Sequence, residues 1–430
     1  LIAQLKAFGV QPLPEYPDYR QPVSMKTQKK PVQINLSYNG QTFVVKDNLV
    51  LLDGNSAQIE APAVFLGFGT EADFANADIA GKIVFVSCGV EGEASPQQWF
   101  YAGRTKRKLA TDKGAVALVE LYNNAQLPWI YLVGYLHTDR TGLDNSAANT
   151  TIIPHLWMGD SGDAQATAWK AQPTDQATLN IVAGEQKKFD VFNVVGMVKG
   201  SDPELSKQIV AYTAHYDHVG IGRPDEKGDS IYNGARDNAI GTTTVLSLAE
   251  NMAQFPAKRS GLFVFFTGEE KGLLGSTWFV DHCPIPLNQI VYCFNSDNAG
   301  YNSTAVSMIM GLFRTTADVY IQKACEAFGL KAIDDPAPEQ NLFDRSDNVS
   351  FAKKGIPAPT YSLGLTAFDA EIDKFYHQPG DQPDNLDYDY LYKFGGAYIY
   401  TARMIANAEQ APFWKEGDKY YEAGVKLYNK

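Results

Sequence analysis

Only four of the 430 residues are cysteine (Cys88, Cys283, Cys293 and Cys325), and their spacing matches neither a zinc ribbon nor a redox dithiol. Cys283 and Cys293 could bridge in an oxidising compartment, but buried free thiols are the commoner state of such residues. Long apolar runs are missing as well: no segment approaches the roughly 20 residues of a membrane span. Positive charge is in deficit, with 37 Lys and Arg against 49 Asp and Glu and a net charge of −12. Without a basic stripe, nucleic acid is excluded as the expected partner. Because no long acidic block occurs, the negative balance reads as a solvated surface. Histidine is scarce too, with six in the whole chain.

What remains is an ordinary globular composition, 45% hydrophobic and 20% charged. A chain of this length exceeds one ordinary core, so two domains, or one domain with a large insertion, are expected. The chain opens at Leu1, and "LIAQLKAFGV" sets Leu1, Leu5 and Phe8 at helical spacing. It reads as a processed chain whose targeting segment lies outside it, with a secreted or periplasmic location expected.

Between residues 31 and 187 short apolar runs ("APAVFLGFG", "GKIVFVSCG", "GAVALVEL", "ATLNIVAG") are bounded by Gly, Asn and Asp and read as strands. One helical segment, near "WFYAGRTKRKLATDKGA", falls among them. From 188 to 430 strands and helices alternate. The first two runs, "FDVFNVVGMV" and "KQIVAYTA", flank a Gly-Ser-Asp-Pro turn and predict a hairpin. "IGTTTVLSLAENMAQF" places Val245, Leu248, Ala249 and Met252 on one helical face. The alternation predicts an α/β fold: a central, mostly parallel mixed sheet with helices on both faces, plus the inserted β-rich module.

In open α/β sheets ligands bind outside the carboxyl ends of the strands. His215 and Asp217 follow "IVAYTA", Glu269 and Glu270 follow "LFVFFTG", and Asp297 follows "IVYCFNS". Asp237 lies in the Gly-rich loop "YNGARDNAIG", and His377 in "FYHQPGDQPDNLD". Each has a bland alternative. A histidine after a strand is usually a polar strand end, and Asp237 before a helix reads as a cap. Glu269-Glu270 reads as an acidic first helical turn, and Asp297 and His377 as turn and loop chemistry. Taken together they crowd negative charge into one cleft, which calls for a cation. Imidazole plus carboxylate without cysteine suits zinc and its neighbours. Five ligands overfill one open tetrahedral site but serve two ions if one carboxylate bridges. Neighbouring side chains on extended backbone point apart, so one glutamate can bind metal while the other faces the attacking water as general base.

These motifs, "HYDHVG", "GARDNAIG", "FTGEEKGLLGS", "NSDNAG", "RSDNVSFAKKGIP" and "YHQPGD", resemble those of the co-catalytic di-zinc exopeptidases, which include bacterial leucyl aminopeptidases and glutamate carboxypeptidase. They occur in family order over most of residues 190 to 400. The segments "PAVFLGFGT", "DIAGKIVFV" and "KGAVALV" look like a protease-associated domain. The implied organisation is residues 1–30 as the start of the peptidase domain, 31–187 as the protease-associated-like insert, and 188–430 as the catalytic domain.

The resemblance implies two Zn ions per chain. It assigns His215, Asp237 and Asp297 to one and Asp237, Glu270 and His377 to the other, with Asp237 as the bridge. Glu269 takes the base role, Asp217 orients His215 by accepting its ring N–H, and Asp347 binds water or orients a neighbour. A cis peptide is implied at Asp237–Asn238. His218 reads as a loop residue, and His137, His155 and His282 as ordinary. Asn298, Asn348, Gln378 and Gln382 depart from the residues usual at their positions, which bears on the substrate pocket and its supports. The implied activity is zinc-dependent removal of N-terminal residues from peptides. Alternatives are a carboxypeptidase, for which Arg314 and Arg345 are the candidate carboxylate partners, a glutaminyl cyclase, or a metal-free binding protein on the same fold.

Overall fold

The computed structural model describes residues 1–92, 95–144, 153–170 and 176–429. The chain divides into two units, Leu1–Ser24 with Asp190–Lys430, and Met25–Phe189.

The larger unit is built on strands β1 (Gln186–Val198), β2 (Ile209–His215), β3 (Ser260–Phe266), β4 (Ile290–Ser296), β5 (Val306–Met310), β6 (Lys331–Asp334) and β7 (Thr360–Ser362). Their spatial order is β6-β5-β7-β4-β2-β3-β1. β2 runs parallel to both β3 and β4, β4 to β7, and β5 to β6. β1 and β5 meet their other neighbours, β3 and β7, antiparallel. Every residue of β2 and β3 is buried. Both sheet faces are therefore covered, which is why these strands read as continuous apolar runs rather than alternating ones.

The two sides of β2 enter different cores. Val210, Tyr212 and Ala214 join one with Val245, Leu248, Ala249 and Met252 of helix α1 (Gly241–Gln254). Ile209 and Ala211 join the other with Phe279 and Val280 of α2 (Leu274–Asp281). The first core is closed by α3 (Asp318–Ala327) and α4 (Tyr388–Asn407). All seven polar residues singled out at strand ends or in adjoining loops belong to this unit.

The expected hairpin is absent: β3 lies between β1 and β2. Residues 199–208, with a 3₁₀ turn at Leu205–Lys207, link the two strands and exceed a hairpin loop. β3, apolar from Leu262 to Phe266, buries both its edges by pairing on each side. The N-terminal helix spans Ile2–Phe8. All four cysteines are free, Cys88, Cys293 and Cys325 fully buried, so Cys283 and Cys293 are not bridged.

The smaller unit holds an eight-stranded mixed sheet of Gln41–Val44, Gln33–Tyr38, Gln176–Val182, Ala57–Phe65, Ile83–Ser87, Ala117–Tyr122, His155–Gly159 and Leu49–Asp53, in that order. Besides the expected helix, at Pro96–Asp112, it carries Glu71–Asn76, Trp129–Leu136 and Ala164–Lys170. The short apolar run "WIYLVGYL" gives no period by which to tell helix from strand. Glu120, on the strand Ala117–Tyr122, is wholly buried and fully partnered. It accepts from Lys106 Nζ at 3.2 Å and from Trp157 Nε1 at 2.9 Å, and it meets His155 Nε2 at 2.7 Å. Lys106 also donates to the carbonyls of Ser87 and Gly89. His155 is thus a structural histidine. Lys106→Met removes the ammonium paired with this buried carboxylate. It should lower the unit's unfolding free energy by about 3–5 kcal/mol in urea titrations. Stability within about 0.5 kcal/mol of the parent would show that the network carries no weight.

Candidate metal centre

His215 ends β2, and hydrogen-bonding along that strand fixes where its ring emerges. Its Nε2 stands 3.2 Å from Asp237 Oδ1 and 3.1 Å from Asp297 Oδ1, with the side chain 1% exposed. Asp297 directly follows β4, the parallel neighbour of β2, so adjacent strand ends deliver the two side chains side by side. Its second oxygen accepts the Ser346 hydroxyl. The ring N–H of His215 goes to the main-chain carbonyl of Asp217 at 3.1 Å, with the Asp217 carboxylate 3.8 Å away. That carboxylate instead accepts the backbone N–H groups of Glu269 (3.1 Å) and Glu270 (3.4 Å). Asp217 therefore steadies the His215 ring through its backbone and the glutamate pair through its side chain, a division the sequence reading did not foresee.

Asp237 lies in the irregular turn Ala235–Ile240 that leads into α1, and the Asp237–Asn238 peptide is cis. Two buried residues hold this turn. Asp381 accepts the backbone N–H groups of Arg236 and Asp237 and pairs with the Arg236 guanidinium at 3.0 Å. Arg236 also lies 3.8 Å over the Phe375 ring and donates to Asn385. Asn298 donates to Asn238 Oδ1 at 2.8 Å and accepts the Leu363 N–H at 2.9 Å. The departure at Asn298 thus ties the Asp237 turn to the residues after β7. Asp381 ends the motif "YHQPGD", and only the fold brings it 145 positions back to Arg236.

His377 completes the arrangement from the loop before α4. Its Nε2 stands 3.1 Å from Asp237 Oδ2 and 3.2 Å from Glu270 Oε2, and its ring stacks on Tyr376 at 4.0 Å. Two donor sets result, His215/Asp237/Asp297 and His218/Asp237/Glu270/His377, sharing Asp237. Glu269, half-buried, adjoins both in the cleft. Asp347 is fully buried close by, with neither carboxylate oxygen hydrogen-bonded. His218, read from sequence as a loop residue, lies inside the second set. Its signal was the "HYDH" spacing itself.

Electrostatics follow the crowding. Burial pushes the Glu269 carboxyl well up, and the charges of Asp297, Asp347 and Glu270 push it the same way. Burial, with Asp297 and Asp217 nearby, pushes Asp347 up to about 7. Burial would also raise Asp237, but the His215 and His377 hydrogen bonds prevail and hold it below the usual range. His377 moves up to about 9: burial opposes its charge, and the Asp237 and Glu270 carboxylates outweigh burial.

These residues fit divalent cations. The nitrogen–oxygen separations of 3.1–3.2 Å around His215 and His377 approach the edge of a zinc tetrahedron, about 3.3 Å for bonds near 2.0–2.1 Å. Both His218 ring nitrogens and Glu270 Oε1 are buried without a hydrogen bond, as expected of donors aimed at an ion.

Beside the donors, the cleft is lined by Met308, Met310, Leu342, Leu365, Phe368 and Tyr376. Arg345 reaches it, whereas Arg314 is paired with Asp418 at 2.6 Å and lies 3.8 Å over Phe343. Asn348 donates to the Ala358 carbonyl, and Gln382 to the Pro379 carbonyl and the Asp229 carboxylate. His137 and His282 lie outside the two donor sets.

Asn298→Leu should strip a partner from Asn238 and leave the Leu363 N–H without its acceptor. A loss of about 1–3 kcal/mol in unfolding free energy is expected by chemical denaturation. An unchanged midpoint would remove Asn298 from the supports of this turn.

Residues 193–402 match the model of peptidase family M28. Aminopeptidase YwaD of Bacillus subtilis (strain 168) is 28% identical over 362 residues, covering 82% of this chain and 69% of that protein. A probable leucine aminopeptidase 2 of Aspergillus fumigatus is 25% identical, covering 87% and 71%. The fold is shared with an aminopeptidase from Aneurinibacillus sp. strain AM-1, at a TM-score of 0.58 and 21% identity over 97% of this chain and 89% of that one. The residues of both donor sets all fall within the matched segment, so the site lies in the part of this chain that is similar to peptidase family M28.

Proposed function

We propose that this protein is a zinc-dependent aminopeptidase that holds two zinc ions per chain and releases apolar residues from the N-termini of peptides. The observation that carries this reading is the pair of donor sets sharing Asp237, with Glu269 beside them in a half-apolar cleft. His215, Asp237 and Asp297 would hold one ion, and Asp237, Glu270 and His377 the other. Zinc bound there supplies Lewis-acid polarisation of a carbonyl and makes water acidic near neutral pH.

The chain's own groups do the proton work. Glu269 takes a proton from the attacking water and returns it to the departing amine, so one carboxylate serves both half-reactions. Asp217 fixes Glu269 by binding its backbone N–H. The carboxylate-rich cleft favours a free α-ammonium and repels a terminal carboxylate. A carboxypeptidase would need an arginine cluster, yet Arg314 is committed to Asp418 and only Arg345 of the two reaches the cleft. The names of the relatives agree with the amino-terminal reading. The unit Met25–Phe189 we assign as the protease-associated-like module, on its β-rich character and the motifs quoted above.

Two experiments test this. On the zinc-loaded protein, Leu-initiated substrates should be cleaved, their N-blocked counterparts should not, and Leu should exceed Ala by about 10–200-fold in kcat/KM. Preference for blocked amines or for free carboxyl ends would reject the assignment. Separately, Glu269→Gln should retain metal and lose about 10²–10⁴ in kcat with little change in KM. Glu270→Gln should instead lose metal affinity. Loss of metal in Glu269→Gln, with normal turnover per remaining metal pair, would reverse the two roles.

A further inference from the structure

Among the described residues the two donor sets are unequal, and His218 makes the difference. Its Nδ1 lies 2.8 Å from Glu270 Oε1 and 4.0 Å from Asp237 Oδ2, and its side chain is 9% exposed. The close approach to Glu270 is not along a ring N–H, since neither atom has a hydrogen-bond partner. Two electron-rich atoms side by side in a buried place, neither donating to the other, call for a positive centre between them. The ring also stands edge-on to His377, with centroids 5.5 Å apart.

The backbone reserves the space for this ring. Gly234 sits at φ +65°, and a Cβ there would lie 2.7 Å from His218 Cγ. A side chain at 234 would drive the imidazole away from Glu270. Its placement therefore comes from the turn that carries Asp237 as well as from its own loop.

We infer that His218 is a ligand, giving one ion four protein donors (His218, Asp237, Glu270, His377) while the other keeps three (His215, Asp237, Asp297). This rests on the proposal that the centre binds metal. Four protein donors complete a tetrahedral site, whereas three leave a position open for water or substrate. The pair is consequently asymmetric. The ion near His377 is the tightly held one, and the ion near His215 is the exchangeable one that faces the reaction.

The test uses the full chain, stripped with a chelator and titrated with Co²⁺ against a competing chelator, with visible absorption as the readout. Parent protein should fill in two distinguishable steps. His218→Ala and His218→Asn should both weaken the tight step by more than 100-fold, beyond the 10–100-fold expected when only a ligand's supporting partner is lost. Asn places an amide near the Nδ1 position and can still hold Glu270, but it offers no imidazole nitrogen. If His218→Asn binds Co²⁺ as tightly as the parent, His218 merely positions Glu270 and the assignment is overturned. With one equivalent of Zn²⁺, X-ray absorption should count two imidazoles in the parent and one in His218→Asn; one in both would also overturn it. A parent that takes up no metal overturns the metal reading itself, whereas two ions unaffected by either variant overturn only the role of His218.

Discussion

Repulsion among buried carboxylates is the constraint on which the rest of this site depends. Asp217, Asp237, Glu269, Glu270, Asp297 and Asp347 converge on three imidazoles in a cleft that excludes much of the water. Carboxylates so placed neutralise by taking up protons, as Glu269 and Asp347 tend to, or by binding cations. Asp237 resists protonation because two histidines face it, one on each oxygen. Those two oxygens face two donor sets, so this one side chain is common to both.

Holding Asp237 against such repulsion requires rigidity elsewhere. The parallel neighbours β2 and β4 fix His215 and Asp297 through backbone hydrogen bonding, with apolar cores behind both faces of the sheet. The Asp237 turn has no strand to hold it. It relies on Asp381, which accepts main-chain N–H groups of the turn and pairs with Arg236, and on Asn298, which donates to the Asn238 side chain. Burial of that polar network is tolerable because its members find partners in one another.

Much of this was legible in the sequence because both signals are local. Fully buried strands announce themselves as apolar runs, and the polar residues that end them are adjacent in the text, as in "AYTAHYD" and "FTGEE". The helical face of Val245, Leu248, Ala249 and Met252 was readable for the same reason. What escaped were relations between distant segments. The strand order that places β3 between β1 and β2 depends on pairing preferences that no local turn signal encodes. The partnership of Asp381 with Arg236 and of Asn298 with Asn238 exists only once three loops meet. His218 was visible in "HYDH", yet its turn toward Glu270 depends on Gly234, sixteen residues away. The backbone role of Asp217 was hidden because sequence shows side chains and not carbonyls.

The central claim is that one carboxylate couples two metal sites. Elemental analysis of bound zinc in the parent protein and in Asp237→Asn, after equilibration at matched free zinc, tests it most directly. The account predicts two ions per chain in the parent and weakened binding of both in the variant, since the substitution removes the charge that both donor sets share. Two tightly bound ions in Asp237→Asn, or loss of only one, would contradict it.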